Sequence, residues 1–393
     1  MDGFPRLVAS LLLGRIAEQM LFVGFVLFVL TRFHSPGLAG AATFLLLVPG
    51  LLLSPIAGTL LDRYRRGVLI AVDYSVMTVV LLLMAALSAS GKLQPATLLL
   101  LSSLASLTRP LSAAGARSMF PSLVPADLWD RANALDSSSQ TVANVIGAPL
   151  AGVLVAFVGP EWALAAPAVL YGLSGAAVMG LQDPSPKDRA HGVLREAWTG
   201  LVYVLHNRTL AGLALTFLGY GAGWGCLVIA VPVLVLSRLH QSPAVVGTIW
   251  GLLGVAGFVA TLAFGPLRTL GRERRLMSVS VLAMAAVLAL LPFASSVAAV
   301  AAVLVVAVIA EAPFGIAFLT LRQRRTDPTR FGRAFAISMS LNVAGNPIGA
   351  AIAGPLIAWS LTGTLWVAAA LVAAGALFPI LMIPARDEVH KTG

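Results

Sequence analysis

Long apolar blocks separated by short polar segments run through the whole sequence, and this pattern limits the folds open to it. Of 393 residues, 59% are hydrophobic and only 11% charged, whereas a water-soluble domain carries about 25% charged residues. A membrane-spanning helix needs roughly 20 mostly apolar residues, and twelve blocks satisfy this. We therefore predict an all-α polytopic membrane protein. The predicted spans are 7–31, 39–61, 68–90, 96–117, 134–158, 161–181, 209–237, 244–267, 275–293, 297–320, 334–358 and 361–384.

Basic residues are divided unevenly between the two sets of loops. Twelve spans place both termini and the even-numbered loops on one side, which holds 21 of the 26 Lys and Arg residues. The other side holds three, and two lie inside spans. Because cytoplasmic loops carry the excess of positive charge, both termini are predicted to be cytoplasmic, in a bacterial inner membrane. The net charge of +10 then needs no nucleic-acid partner.

The chain divides into two similar halves. The longest loop, 182–208, follows the sixth span. Its apolar residues have the spacing of a helix that lies on the inner membrane surface. Asn144 to Pro149 in the fifth span resembles Asn342 to Pro347 in the eleventh, at an offset of 198 residues. We predict a six-helix bundle over 1–181, a cytoplasmic linker over 182–208 and a second bundle over 209–393. Such repeats place a substrate site where the halves meet, near the middle of the membrane.

A glycine, an acid and several arginines follow the second span, in the segment GTLLDRYRR over residues 58–66. It resembles the loop signature of the major facilitator superfamily, Gly-x-Leu-x-Asp-Arg-x-Gly-Arg-Arg, and departs from it at Arg65 and Gly67. A weaker copy follows the eighth span. The resemblance implies a cytoplasmic gate in which the glycine lets two helices approach and the charges pair in one conformation. The predicted gate residues are Gly58, Asp62, Arg63, Arg66, Asp127 and Asp130.

Two further segments resemble exporters of that superfamily. Gly147, Pro149 and Gly152 in the fifth span are similar to the antiporter motif Gly-Pro-x-x-Gly-Gly, with one extra residue before the proline. Small residues there predict close packing of spans five and eight. The loop from Phe120 to Leu135 looks like the fourth loop of the bacterial branch that includes macrolide and enterobactin exporters. Both resemblances imply efflux.

Four charged residues lie deep in predicted spans: Arg15, Glu18, Arg109 and Glu311. Ionisable residues inside a membrane are costly and usually functional, and the resemblance implies that spans one, four, seven and ten line a central cavity. A carboxyl group in an apolar cavity favours its protonated form. We therefore take these four as proton-coupling candidates. Arg15 and Glu18 are also spaced to pair with each other as a structural element, and Arg109 suits an anionic substrate.

Aromatic and polar residues of spans one and seven provide the candidates for the cavity wall, with packing or lipid contact as the simpler alternative. They are Gln19, Phe22, Phe25, Tyr220 and Trp224. Asp73 and Asp136, nearer the cytoplasmic ends of their spans, are expected to be structural.

Enzyme and cofactor motifs are missing from the sequence. It has no Gly-x-x-x-x-Gly-Lys-[Ser/Thr] phosphate loop, no His-Glu-x-x-His and a single cysteine, Cys226, so we predict no metal site, cofactor or enzymatic activity. The predicted function is proton-coupled antiport that exports a lipophilic drug or secondary metabolite by alternating access, from a monomer. Uptake by proton symport, lipid or lysolipid flipping, and a non-transporting sensor or accessory subunit are the alternatives.

Overall fold

A computed structural model describes residues 4–123, 129–179, 181, 202, 206–325 and 344–384. Within these residues the chain is helical, and each predicted span contains a helix. The bounds are α1 Phe4–Phe33, α2 Pro36–Arg63, α3 Arg66–Ala89, α4 Pro95–Leu123, α5 Trp129–Phe157, α6 Trp162–Val178, α7 Arg208–Val233, α8 Pro243–Phe264, α9 Glu273–Leu288, α10 Val297–Arg325, α11 Gly345–Trp359, α12 Leu361–Gly375 and α13 Leu377–Met382. A π-helical turn, Leu234–Arg238, extends α7, and a 3-10 turn, Leu291–Phe293, follows α9.

Ten stretches among the described residues are long and apolar enough to cross a membrane, and α6 is a shorter apolar helix. The outward faces of the helices carry large apolar side chains, with Leu52 75%, Phe157 81% and Trp359 91% exposed. Exposed apolar surface of this extent marks contact with lipid or with a partner. The prediction of a polytopic helical membrane protein is therefore confirmed. The predicted interfacial helix over 182–208 lies almost entirely outside the described residues.

Helix boundaries follow local sequence rules. Ser35 caps α2 by accepting a hydrogen bond from Leu38 N at 3.2 Å, and Pro36 occupies the first helical position. A side-chain oxygen at the cap and a proline at that position both favour helix initiation. Ser360 caps α12 in the same way, accepting from Gly363 N at 3.0 Å. These caps allow very short connections between successive membrane helices.

Two compact units make up the fold. The first comprises residues 1–194 together with 231–254, and the second comprises 195–230 together with 255–393. In the first unit α1 packs against α5 and α6, α2 against α4, and α3 against α4 and α6. In the second unit α9 packs against α10 and α12. Each core is apolar, and Phe25, Phe28 and Phe314 are among its largest fully buried side chains.

Candidate functional site

An ion pair joins α1 to α4 in the first unit. Arg109 Nη2 donates to Glu18 Oε1. The Glu18 side chain is 49% exposed and that of Arg109 is 23% exposed, so the pair is accessible at one edge although it lies along two apolar helices. Placing a charged side chain inside a membrane span costs free energy, and this cost is lower when an acid and a base pair there. Arg109 therefore acts as the counter-ion of Glu18.

A second charged contact joins α1 to α5. Arg15 Nη2 lies 2.7 Å from Asp136 Oδ1, and Arg15 Nη1 donates to Asp136 O and to Ser139 Oγ, both at 2.5 Å. Their side chains are 13% and 25% exposed. The expected pairing of Arg15 with Glu18 is therefore wrong, because each residue turns to a different neighbouring helix. Arg15 and Asp136 thus join α1 to α5, and a purely structural role for Asp136 stays a prediction.

Asp73 on α3 lies behind the Glu18–Arg109 pair. It is 1% exposed, and both Arg109 and Glu18 are close enough to act on it electrostatically. Thr108 and Ser112 of α4 also lie beside its carboxyl group. Asp73 was expected to be only structural, but its position makes it part of the same charged cluster as the two candidate residues.

A different polar contact joins α7 to α10 in the second unit. Tyr220 Oη donates to Glu311 Oε1. Among the described residues no cation lies within ion-pair distance of Glu311. A carboxyl group held only by a neutral hydroxyl in apolar surroundings is suited to carrying a proton.

Aromatic rings surround this contact. Phe217 has its ring centroid 5.3 Å from that of Tyr220, 5.3 Å from that of Phe314 and 4.4 Å from that of Phe318. Beyond them, the guanidinium carbon of Arg322 lies 5.7 Å from the centroid of Phe318. Tyr220 and the neighbouring Trp224 interact through their side chains. Glu311 is therefore half-buried beside an aromatic cluster.

The remaining cavity candidates of α1 have different surroundings. Phe25 is 1% exposed, so it belongs to the packed core and its assignment to a cavity wall is wrong for this conformation. Phe22 packs edge-on against Trp250 at 5.8 Å between ring centroids. The Gln19 side chain lies against Gly147 of α5. Phe22 and Gln19 thus sit in helix contacts, and a role in substrate binding stays a prediction.

The predicted gate is described only in part. A Cβ added to Gly58 would meet no atom within 4 Å, so the expectation that Gly58 permits a close helix approach is wrong in this conformation. Arg63 is exposed, whereas Arg66, half-buried, takes part in a contact. Asp127 lies outside the described residues, as do the side chains of Asp62 and Asp130. Their predicted pairing with the arginines stays a prediction.

The small residues of α5 do allow close packing. A Cβ on Gly152 would lie 2.7 Å from Pro243 O and 2.9 Å from Gly247 Cα. Pro149 packs against Gly251 in the same seam. This is the close approach of spans five and eight that the small residues predict. Gly147 faces the other way and packs on α1, where its added Cβ would lie 3.0 Å from Met20 N.

Sequence reasoning missed several members of these sites. Ser139 follows Asp136 by three residues, and Phe314 and Phe318 follow Glu311 at helical spacing. Residues three or four apart share a helix face, so this spacing was a usable signal. For Asp73 the signal was weaker, because its eighth position in α3 gives no indication of the helix that it faces.

The fold and these polar contacts between apolar helices are typical of a polytopic helical membrane transporter. The sequence profile of the Major Facilitator Superfamily matches residues 7–222 and 213–393, and the chain belongs to that superfamily. It is therefore a transporter and not an enzyme. The predicted fold, of two pseudosymmetric six-helix bundles, is that of the superfamily.

Three similar proteins support this assignment. An uncharacterized MFS-type transporter of Sinorhizobium fredii, y4rN, is 38% identical over 97% of this chain and 95% of its own length. The multidrug efflux pump Tap of Mycobacterium tuberculosis is 25% identical over 88% of this chain and 84% of its own. The crystal structure of the nucleoside transporter NupG has a TM-score of 0.77 at 12% identity, covering 97% of this chain and 99% of that one. The predicted resemblance to drug efflux proteins is confirmed.

Proposed function

We propose that the protein is a proton-coupled antiporter that exports a lipophilic drug or secondary metabolite by alternating access. The observation that carries this proposal is the environment of Glu311. Its carboxyl group accepts a hydrogen bond from Tyr220 beside packed aromatic rings, with no counter-ion in ion-pair range among the residues that the structure describes. Such a group can alternate between neutral and charged forms as its access to water changes.

Glu18 and Glu311 have different roles in this proposal. Glu18 is paired with Arg109, and in this proposal the pair keeps the first unit polar or contacts a charged group of the substrate. Glu311 carries the coupling proton. Arg15 is assigned a structural task because three contacts bind it to α5, although the sequence counted it among the coupling candidates.

Export of an apolar substrate is supported by three features. The Gly152–Gly247 seam carries the motif that resembles antiporters, and one relative is named a multidrug efflux pump. The aromatic cluster beside Glu311, with Tyr220 and Trp224, offers ring faces for a lipophilic compound. We assign Gln19 and Phe22 a secondary part, since both are engaged in helix packing.

The arrangement in the membrane follows from the loop charges. We propose that the protein is a monomer in the bacterial inner membrane with both termini in the cytoplasm, because the basic loops then lie inside. The bundles are taken as residues 1–181 and 209–393, with 182–208 as linker. Asp62, Arg63 and Arg66 are proposed to form the cytoplasmic gate with Asp127 and Asp130.

Reconstitution tests the proposal directly. Purified protein is placed in liposomes with an imposed pH gradient, and ethidium, tetraphenylphosphonium and erythromycin serve as lipophilic probes. We expect at least one probe to be accumulated against its gradient only while protons flow the opposite way. Glu161→Gln, in an acid that accepts from Ser88 Oγ at 2.7 Å away from the candidate site, is the matched control. Glu311→Gln should abolish accumulation.

Other outcomes separate the alternatives. Probe and protons moving in the same direction would indicate symport, and transfer of fluorescent lipid between leaflets would indicate a flippase. No movement with any probe, together with indifference to Glu18→Gln and Glu311→Gln, would contradict coupled transport and favour a sensor or accessory subunit.

A further inference from the structure

Helix α5 of the first unit carries a row of polar side chains inside a membrane span. Ser137, Gln140 and Asn144 recur at intervals of three and four residues, so they share one face of the helix. All three are exposed or half-buried, although they lie in the apolar stretch Leu135–Phe157. Asn144 is about 14 Å along the helix from Leu135, near the middle of an apolar core about 30 Å thick.

This polar face points away from the lipid. Ile146 stands two residues after Asn144, which places the two side chains about 200° apart around the helix. Ile146 belongs to a row of exposed apolar side chains that suits lipid contact: Leu135, Val142, Ile146, Leu150 and Val153. Exposed amide groups would be costly in lipid. The opposite face, with Gln140 and Asn144, therefore faces water or a ligand.

Two neighbouring helices flank the polar face. On one side Gly147 packs against Gln19 of α1. On the other side a Cβ added to Gly254 of α8 would lie 3.0 Å from Asn144 O. Farther along α5 the same face is closed, because Ala151, seven residues after Asn144, is 0% exposed. The exposed polar surface is thus a short patch between α1 and α8.

The two amide groups of this patch are linked to each other. Gln140 Nε2 donates to Asn144 Oδ1 at 3.0 Å. Within the part of the chain that the structure describes, the Gln140 carbonyl oxygen accepts no hydrogen bond and the Asn144 amino group donates none. The patch thus offers one strong acceptor and one donor but no charge. An uncharged hydroxyl or amide group, which can both donate and accept, matches this arrangement.

Aromatic rings lie at the closed end of the patch. Phe22 of α1 packs edge-on against Trp250 of α8, with 5.8 Å between ring centroids. A Cβ added to Gly24 would lie 3.1 Å from the Cβ of Ala151, so Phe22 stands between the levels of Asn144 and Ala151. A ligand bound at the amide groups would therefore meet an aromatic surface beside them, as apolar parts of ligands commonly do.

We propose that Gln140 and Asn144 form a binding subsite for an uncharged hydrogen-bonding group of the substrate, while its apolar body lies against Phe22 and Trp250. The substrate class is then an amphipathic compound whose polar part is a neutral hydroxyl or amide. This rests on the proposed function, because it names the cargo of the same transporter. Its tests measure binding and water access without flux, so proton coupling can fail while this assignment holds.

Equilibrium binding of two radiolabelled probes to the purified protein in lipid nanodiscs tests the subsite. Chloramphenicol is neutral and has hydroxyl and amide groups, whereas tetraphenylphosphonium is a lipophilic cation without a hydrogen-bonding group. Asn144→Leu and Gln140→Leu should each weaken chloramphenicol binding about fivefold, as expected for one lost hydrogen bond, and leave tetraphenylphosphonium binding as in the wild type. Thr141→Val is the matched control and should change neither, since the Thr141 hydroxyl donates to Ser137 O at 3.2 Å within α5.

Three results would overturn the proposal. They are a wild-type protein that does not bind chloramphenicol, unchanged chloramphenicol affinity in both leucine variants, and an equal loss of affinity for both probes. If Asn144→Leu does not fold, Asn144→Cys also removes the amide and should show the same selective loss.

Thiol labelling tests water access at the same position. Cys226→Ser removes the only cysteine of the sequence and provides the background. In it, Asn144→Cys should react with a water-soluble thiosulfonate, because the reaction requires an ionised thiol. Ile146→Cys, at nearly the same depth on the opposite face, is the matched control and should not react. Equal labelling at the two positions, or no labelling of Asn144→Cys, would show that the patch is not open to water and would overturn the proposal.

Discussion

The two halves of the chain carry a polar contact at equivalent positions, built from different residues. Glu18 and Arg109 join α1 to α4, while Tyr220 and Glu311 join α7 to α10, and in both cases the partners are 91 residues apart. Each residue of the second contact stands 202 positions after its counterpart, 18 to 220 and 109 to 311. The same place in the repeat therefore holds an ion pair in one half and, in the other, an acid with no counter-charge among the residues that the structure describes.

The surroundings of the two contacts also differ, being charged in the first unit and apolar in the second. In the first unit Asp73, Arg15 and Asp136 add charge around the pair, whereas in the second unit Phe217 and Phe314 add apolar rings. A duplicated scaffold can thus separate two tasks. Under the proposed function, one half holds an ion pair, and the other supplies the carboxyl group that carries the coupling proton.

The largest expected effect comes from removing the cation of the first contact. Arg109→Met leaves Glu18 without its counter-ion, and breaking one side of a buried pair costs about 3–5 kcal/mol, which the partial exposure of Glu18 reduces to about 1–3 kcal/mol. We expect probe flux in proteoliposomes to fall at least tenfold.

Two further variants sharpen this prediction. Arg109→Lys keeps the charge and should retain part of the flux, and adding Glu18→Gln to Arg109→Met should recover part of the loss by removing the unpaired acid. Full activity in Arg109→Met would show that the ion pair is dispensable and that the two halves do not differ as described.

A smaller effect is expected from the hydroxyl group of the second contact. Tyr220→Phe deletes one hydrogen bond to Glu311, worth about 1 kcal/mol, or roughly fivefold in rate at 1.4 kcal/mol per tenfold. Flux should fall by that amount while remaining coupled to the pH gradient, because the carboxyl group is intact. Tyr64→Phe, at a residue 58% exposed, should change nothing. Loss of coupling in Tyr220→Phe would mean that the phenol itself transfers the proton.

The smallest effect is expected at the α1–α5 tie. A double-mutant cycle with Arg15→Gln and Asp136→Asn should give a coupling energy of about 1–2 kcal/mol, between the values of exposed and buried pairs. Neither variant should change the number of protons that are moved per substrate molecule. Arg32→Gln, which loses only a 3.1 Å hydrogen bond to Ser88 O, is the control. A change in the number of protons moved per substrate molecule would show that Arg15 takes part in proton coupling.

The fold was readable from the sequence because the bilayer imposes a length and a composition on each span. The pairing of the charges was not. Arg15 and Glu18 are three residues apart, which favours a pair within one helix, yet tertiary packing turns them to α5 and α4. The equivalence of the two polar contacts was also hidden, since the residue types differ at each corresponding position, with Glu18 corresponding to Tyr220 and Arg109 to Glu311 in the comparison of the halves. Only the helix geometry relates them.

The central claim is that Glu311, and not Glu18, carries the coupling proton. It is tested most directly by recording, with a pH-sensitive dye inside the liposomes, the proton movement evoked by adding a transported probe. The account predicts that Glu311→Gln abolishes this signal, whereas Glu18→Gln and the control Glu161→Gln retain it, scaled to their remaining flux. A probe-evoked signal that persists in Glu311→Gln and disappears in Glu18→Gln would contradict the account.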